Sequence, residues 1–314
     1  TKTAAVHVNI GILVSTQHTV ATIGQHSGTV QRLCRRKKGR ICSLLLHAEI
    51  PEIAGRCPYV NTPLRQELKS PAAHNTTRVD DLDFSTCLDS WGYSALAIPV
   101  KGEHRFTESA DYVSDAHLGY LKQGLLPMRK LVFLKELNVL LLFDQLFGEG
   151  CHTFEQNFHF GEGEVTLEGS TVFWKGQHAC AALQCLGSNA QFLLHPAPYS
   201  HEYNTLVEGS ALTVQRRLEH FNWFVTALHL MPDACTVPMH AELIPVSKLR
   251  AGITLTDAQA QAVRVTVGEK TCVVLICHSE VISEVDLLSA GEYSGYGKVL
   301  IFDPAHPHGL CLAW

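Results

Sequence analysis

The groups best suited to chemistry cluster in Lys69-Ser70-Pro71-Ala72-Ala73-His74-Asn75-Thr76-Thr77-Arg78-Val79-Asp80-Asp81. An imidazole such as that of His74 can ligate a metal, move a proton near neutral pH, or simply hydrogen-bond a neighbouring strand. The small residues before it leave room for another segment to approach. Pro71 lacks an N–H and suits the start or edge of a strand. In a strand from His74 onward, His74, Thr76 and Arg78 share one face and Asn75, Thr77 and Val79 the other, with a turn at Asp80-Asp81.

A second polar row lies in His152–Phe160. Phe154, Phe158 and Phe160 share one parity; Thr153, Glu155, Asn157 and His159 share the other. Period two sends the phenylalanines into a core, where three such side chains contribute on the order of 5–9 kcal/mol before chain entropy is counted. Glu155, Asn157 and His159 then either line a sugar groove or form a solvated sheet face.

The elements that must position these groups read as strands. Apolar runs at Leu131–Leu134 and Val139–Phe143 flank Lys135-Glu136-Leu137-Asn138 as a hairpin. Ala95–Val100, Asp111–Tyr120, Phe221–Leu230, Cys272–His278 and Lys298–Phe302 are further strands, with Trp223 a core residue. Turns recur at Gly148-Glu149-Gly150, Glu168-Gly169-Ser170, Lys175-Gly176, Gly187-Ser188-Asn189 and Glu208-Gly209-Ser210. This spacing predicts an all-β chain, a large antiparallel β-sandwich. Leu255–Arg264 is helical on propensity alone, with Thr256 or Asp257 as its cap.

At 314 residues, 46% hydrophobic and 18% charged, the chain can bury a full core. It holds no apolar run long enough for a membrane-spanning helix. The 11 cysteines contain no CxxC pair. Most sit in apolar runs and read as buried thiols of a reducing, cytoplasmic compartment; a removed leader would make the chain periplasmic or secreted instead. Residues 1–57 hold 8 Lys and Arg against 2 acids, mainly in the run Arg32–Arg40, whereas the rest is acidic. No aromatic interleaves the basic run, which argues against a nucleic-acid partner.

The segment from Arg65 through Lys69-Ser70-Pro71-Ala72-Ala73-His74-Asn75-Thr76 resembles the "R-S-T-x-A-H-N-T" stretch of heparinase II/III-like polysaccharide lyases. Trp91-Gly92-Tyr93, Phe133-Leu134-Lys135, Asn138-Val139, Phe143-Asp144, Gly148-Glu149-Gly150 and Phe154–Phe160 extend the resemblance. It implies β-elimination on uronic-acid-containing polysaccharide, in a fold that pairs an α/α toroid with a C-terminal sandwich. It also makes His74 a candidate zinc ligand and an acidic polysaccharide the partner.

Upstream the match ends. Gly55-Arg56-Cys57-Pro58-Tyr59 resembles the tail of the family's metal-site turn, but Ile53 stands where that turn has an aspartate, with Glu52 one residue out of register. No His-x-His pair precedes it; His7, His18, His26 and His47 stand singly. One ligand does not hold zinc, and no counterpart of the toroid precedes residue 59. The division expected is an irregular segment 1–57, divergent or translated out of frame, and a sandwich domain 58–314. The chain then reads as the sandwich part of a lyase with an incomplete site and no assignable catalytic residue. The alternative is a non-catalytic sandwich that binds acidic glycan or serves as a scaffold.

Overall fold

The structure, a computed structural model, describes residues 8–9, 60–176, 179–187, 189–202, 205–232, 237–278 and 286–314. Antiparallel strands dominate it, as the turn spacing predicts. The chain divides into two compact units, Thr1–Gly102 with Phe106–Cys235, and Glu103–Arg105 with Thr236–Trp314.

The first unit is a sandwich. Its smaller sheet centres on Cys151–Phe160, paired on one side with Ser210–Glu219 and on the other with Thr77–Val79; Gln191–Pro196 lies beyond Ser210–Glu219. The larger sheet runs Glu164–Glu168, Thr171–Lys175, Ala179–Leu186, Asn222–Pro232, Val139–Phe147, Leu126–Leu134, Ala110–His117. Phe154, Phe158, Phe160, Leu212 and Val214 of the smaller sheet pack with Phe133, Leu140, Leu142, Leu183, Phe224 and Leu228 of the larger. Phe154 stacks on Phe224 with ring centroids 5.1 Å apart. The phenylalanine parity therefore holds, and Trp223 is a core residue at 7% exposure.

Local chemistry explains the turns. The hairpin joining Leu126–Leu134 to Val139–Phe147 closes with Asn138 at φ 53°, a left-handed conformation that asparagine tolerates. Asp80 and Asp81 lie at φ 51° and 58°, and Leu82 N–H donates to the Val79 carbonyl at 2.8 Å, the primed turn that suits strand twist. The Tyr120 hydroxyl pins this turn, accepting from Val79 N–H at 3.2 Å and donating to the Leu82 carbonyl at 2.7 Å.

Three sequence expectations need correction. Leu255–Arg264 is not helical: Ala260–Val267 is a strand between Met239–Ile244 and Lys270–Cys277, preceded by a turn in which Gln259 Oε1 accepts from Thr256 N–H. Ladder hydrogen bonds on both sides, with Ala262, Val263 and Val265 fully buried, outweigh a propensity difference of tenths of a kcal/mol per residue. Ala95–Val100 splits into two short strands, Tyr93–Ala95 and Pro99–Val100. The chain before His74 is a helix, Pro63–Lys69, followed by the 3-10 turn Pro71–Ala73, and the strand begins only at Thr77.

The second unit pairs Met239–Ile244, Ala260–Val267, Lys270–Cys277, Val299–Asp303 and His306–Ala313 in one sheet. Its core holds Val273, Leu275, Leu300 and Phe302. Near the start of the chain, Val8–Asn9 pairs with His159 and Phe160. The basic run Arg32–Arg40, and Glu52 and Ile53, lie outside the described residues. Among the described residues no helix is long and apolar enough to cross a membrane.

Candidate functional site

The segment around His74 is built in short steps. Thr62 caps the helix Pro63–Lys69, its hydroxyl accepting from Arg65 N–H at 3.2 Å with Pro63 in the first turn. Pro71 then opens the tighter turn, and His74 follows in extended backbone (φ −128°, ψ 158°). Thr77–Val79 joins the sheet in register, Thr77 opposite Gln156, Arg78 opposite Glu155 and Val79 opposite Phe154. The predicted alternation holds through the segment: Asn75, Thr77 and Val79 are buried, while His74, Thr76 and Arg78 are partly exposed.

Asn75 is the anchor. Its Oδ1 accepts His159 N–H at 2.6 Å, so a side chain continues the ladder where the backbone has left the strand. Its carbonyl accepts from Arg129 Nη1 at 2.7 Å. Arg129 is held in turn by a bidentate pair with Asp144, Nε to Oδ1 at 2.5 Å and Nη2 to Oδ2 at 2.8 Å. Gln156 Nε2 donates to the same carboxylate at 2.6 Å, and Thr226 Oγ1 donates to Gln156 Oε1 at 2.9 Å. Both sheets of the sandwich therefore fix the position of His74-Asn75.

The polar row of Cys151–Phe160 is not a solvated face, which corrects that expectation: Glu155 is 3% and Asn157 4% exposed. Neighbouring strands satisfy both. Glu155 accepts from Arg78 Nη1 at 3.3 Å and from Gln215 Nε2 at 2.5 Å. Asn157 Oδ1 accepts from the Thr213 hydroxyl at 2.8 Å, and Thr213 Oγ1 lies 3.2 Å from His195 Nε2. His159 alone of the three keeps partial exposure, with Nε2 3.0 Å from the Ala72 carbonyl. That nitrogen carries the proton, because a carbonyl can only accept.

His159 lies within electrostatic range of both His74 and His195. Burial pushes His74 down to about 4. Burial does the same for His159, to about 4; the Ala72 carbonyl opposes the shift, and His74 and His195 add to it. Both rings are neutral at neutral pH. Neutral imidazole is the ligating form, but among the described residues no group of three or more His, Cys, Asp or Glu converges as a metal site. The described residues therefore do not fit zinc by themselves.

The sequence singled out His74, Glu155, Asn157 and His159, and the structure brings His74 and His159 together. It missed Asn75, Arg129, Gln156, Thr213 and His195 as their supports. Only the helix had a readable local signal, Thr62-Pro63 as cap and first turn. The others meet through strand register.

The profile described as "Heparinase II/III-like, C-terminal" matches residues 54–265. Among solved structures, a heparan sulfate lyase, HepC, from Pedobacter heparinus superposes with TM-score 0.57 at 13% identity, covering 73% of this chain and 34% of that one. A heparinase III with methylated lysines gives TM-score 0.54 at 14% identity, over 68% of this chain and 31% of that one. A further heparinase III gives 0.52 at 14% identity, with the same coverage of both chains. These likenesses show the fold, and the chain spans about a third of the length of the lyases it matches. No curated protein matches the sequence.

Proposed function

Because this chain belongs to the family of heparinase II/III-like C-terminal domains, we propose that it is the sandwich portion of a lyase that cleaves uronic-acid-containing polysaccharide by β-elimination. In that reaction a base removes the proton at C5, the C4–O4 bond breaks as the double bond forms, and an acid protonates the departing oxygen. Charge growing on the uronate carboxylate calls for hydrogen-bond donors or cations nearby.

The observation that carries this reading is the anchored His74-Asn75 segment, which holds His74 near His159 with both rings neutral. Uncharged at neutral pH, these imidazoles act as hydrogen-bonding groups and not as cations. His159 is the proposed sugar-facing member of the row. Glu155 and Asn157 support it from below by holding Arg78, Gln215 and Thr213 in register. No catalytic acid or base is assigned among the described residues. A zinc ion on His74 would need donors from outside them, and metal analysis of purified protein with His74→Ala as control tests that point.

The neutral imidazoles of His74 and His159, which act through hydrogen bonds, suit a second reading as well, a sandwich that holds acidic glycan without cleaving it. Absorbance of unsaturated uronate ends separates the two. Cleavage that falls about tenfold or more in His159→Ala supports the lyase reading. Binding without product establishes the second reading, and neither binding nor product refutes both.

A further inference from the structure

The strand Thr77–Val79 has only three residues, so its ladder to Cys151–Phe160 is short and its two ends decide how firmly it is held. Asn75 joins one end to His159. The other end closes on His152. Asp80 N–H donates to the Thr153 carbonyl at 2.9 Å, and Asp80 Oδ1 accepts from Thr153 N–H at 2.8 Å. The second carboxylate oxygen, Oδ2, lies 2.7 Å from His152 Nδ1. His152 Nε2 lies 3.0 Å from the Glu149 carbonyl, in the turn Gly148-Glu149-Gly150. Gly150, at φ 98°, leaves room for that approach: a Cβ there would stand 3.0 Å from Nε2, closer than ordinary contact.

A carboxylate and a carbonyl can only accept, so both ring nitrogens must donate to keep both contacts. A neutral imidazole has one N–H and serves one of them; the imidazolium serves both. The Asp80 hydrogen bond raises His152 above its ordinary value; burial and the Arg217 charge oppose it, while the Glu149 carbonyl and the Asp80 charge add to it. Burial works to raise Asp80 as well, but the bonds from His152 and Thr153 N–H, with the charges of His152 and Arg217, outweigh it and hold the carboxyl low. The remaining charged groups at this corner are accounted for. Asp81 faces Arg78 at 3.7 Å, Glu149 Oε2 lies 2.9 Å from His220 Nδ1, and Glu219 stands opposite Cys151 in the ladder.

We propose that His152 is a protonation-controlled clip: as the imidazolium it ties Asp80 to Glu149 and holds Thr77–Val79 against Cys151–Phe160, and on losing one proton to solvent it releases the Glu149 carbonyl and loosens that strand. The Asp80 contact survives as a bond from a neutral N–H, so the strand is loosened and not detached. His152 is thereby a positioning residue for the His74-Asn75 segment that leads into the strand, whether the site cleaves glycan or only binds it. The two partners give the clip a window. A histidine raised by folding contributes fully below about pH 6.5 and loses its contribution as pH rises through its higher folded value. A carboxyl held low contributes above about pH 4 and loses its contribution as pH falls through its lower folded value. The clip is therefore full between about pH 4 and 6.5, and its alkaline loss is opposite in sign to the behaviour of the buried, neutral His74 and His159.

The test is nuclear magnetic resonance of the isotopically labelled full chain between pH 5.5 and 8.5. Ring resonances give the His152 midpoint, and amide exchange, corrected for its intrinsic pH dependence, gives local protection. Two amides report on the strand: Thr153 N–H, and Asn157 N–H, which donates to the Thr76 carbonyl at 3.0 Å. The clip predicts a midpoint above 6.5 and a fall of about two- to fivefold in protection at both amides across it, the range of an exposed ion pair. Asp80→Asn, which keeps the Oδ1 acceptor, lowers the midpoint. His152→Gln abolishes the step, whereas His220→Asn, at a φ of 61° that asparagine tolerates, retains it. A wild-type midpoint at or below 6.5, constant protection, or a fall at Thr153 alone overturns the proposal. So does a step that persists in His152→Gln or vanishes in His220→Asn. A fall of equal size throughout Asn222–Pro232, in the other sheet, marks global opening and overturns it too.

Discussion

Removing the Asp144 carboxylate should loosen the candidate site without touching it. Asp144 is 0% exposed, and its two oxygens accept from Arg129 Nε and Nη2 and from Gln156 Nε2. In Asp144→Ala, Arg129, whose side chain is 12% exposed, loses the Asp144 charge inside the sandwich. Breaking a buried ion pair from one side costs about 3–5 kcal/mol. In a domain of this size each kcal/mol lowers the unfolding midpoint by about 2–4 °C, so a fall of about 6–20 °C is expected. Asp144→Asn keeps the shape and one acceptor, and should cost about 1.5–3 kcal/mol, the range for hydrogen bonds to charged groups. The double variant Arg129→Met/Asp144→Leu removes both charges and should be more stable than Asp144→Ala alone. Urea and thermal unfolding measure all three. Amide exchange at His159 gives the local readout, because its N–H is bonded to Asn75, which Arg129 holds. A loss below about 1 kcal/mol in Asp144→Ala, in the range of a surface change, would refute the anchoring role of this pair.

Two further outcomes follow from the same geometry. Phe158, 2% exposed in the shared core, should cost about 3–5 kcal/mol when changed to alanine; a loss below about 1 kcal/mol would mean the faces of its strand are reversed. Burial holds His74, His117 and His159 down to about 4 in the folded chain, with Arg129 adding to the shift at His117. The unfolded chain takes up these protons as pH falls through about 6.5, before the folded chain does. Stability from the three is therefore full above about pH 6.5 and is lost as pH falls towards 4. Each contributes at most about 3 kcal/mol, less where solvent reaches the ring. Urea midpoints at pH 7.5 and 4.5 should differ strongly, with a smaller difference in His159→Gln; equal midpoints would contradict the buried neutral rings.

The strands, their turns and the core face of Cys151–Phe160 were legible in the sequence because each rests on local chemistry. Alternating Phe154, Phe158 and Phe160 need only the period of an extended chain, and Asn138 or Asp80-Asp81 need only their tolerance of positive φ. The Ala72-Ala73-His74-Asn75-Thr76 stretch likewise pointed to the family directly. What the sequence could not show is which polar residues meet. Glu155 and Asn157 looked like a wet face until register placed Arg78, Gln215 and Thr213 beside them, and a buried polar group is tolerated only with such partners. Asn75 reads as a neighbour of the histidine; only the tertiary structure makes it the joint between Arg129 and His159, residues 54 and 84 positions away. Ala260–Val267 shows the same limit from the other side, since propensity is a small per-residue term and two neighbouring strands decide the backbone. Local preference therefore set where the chain extends and turns, while strand pairing across long sequence separations decided what the site contains.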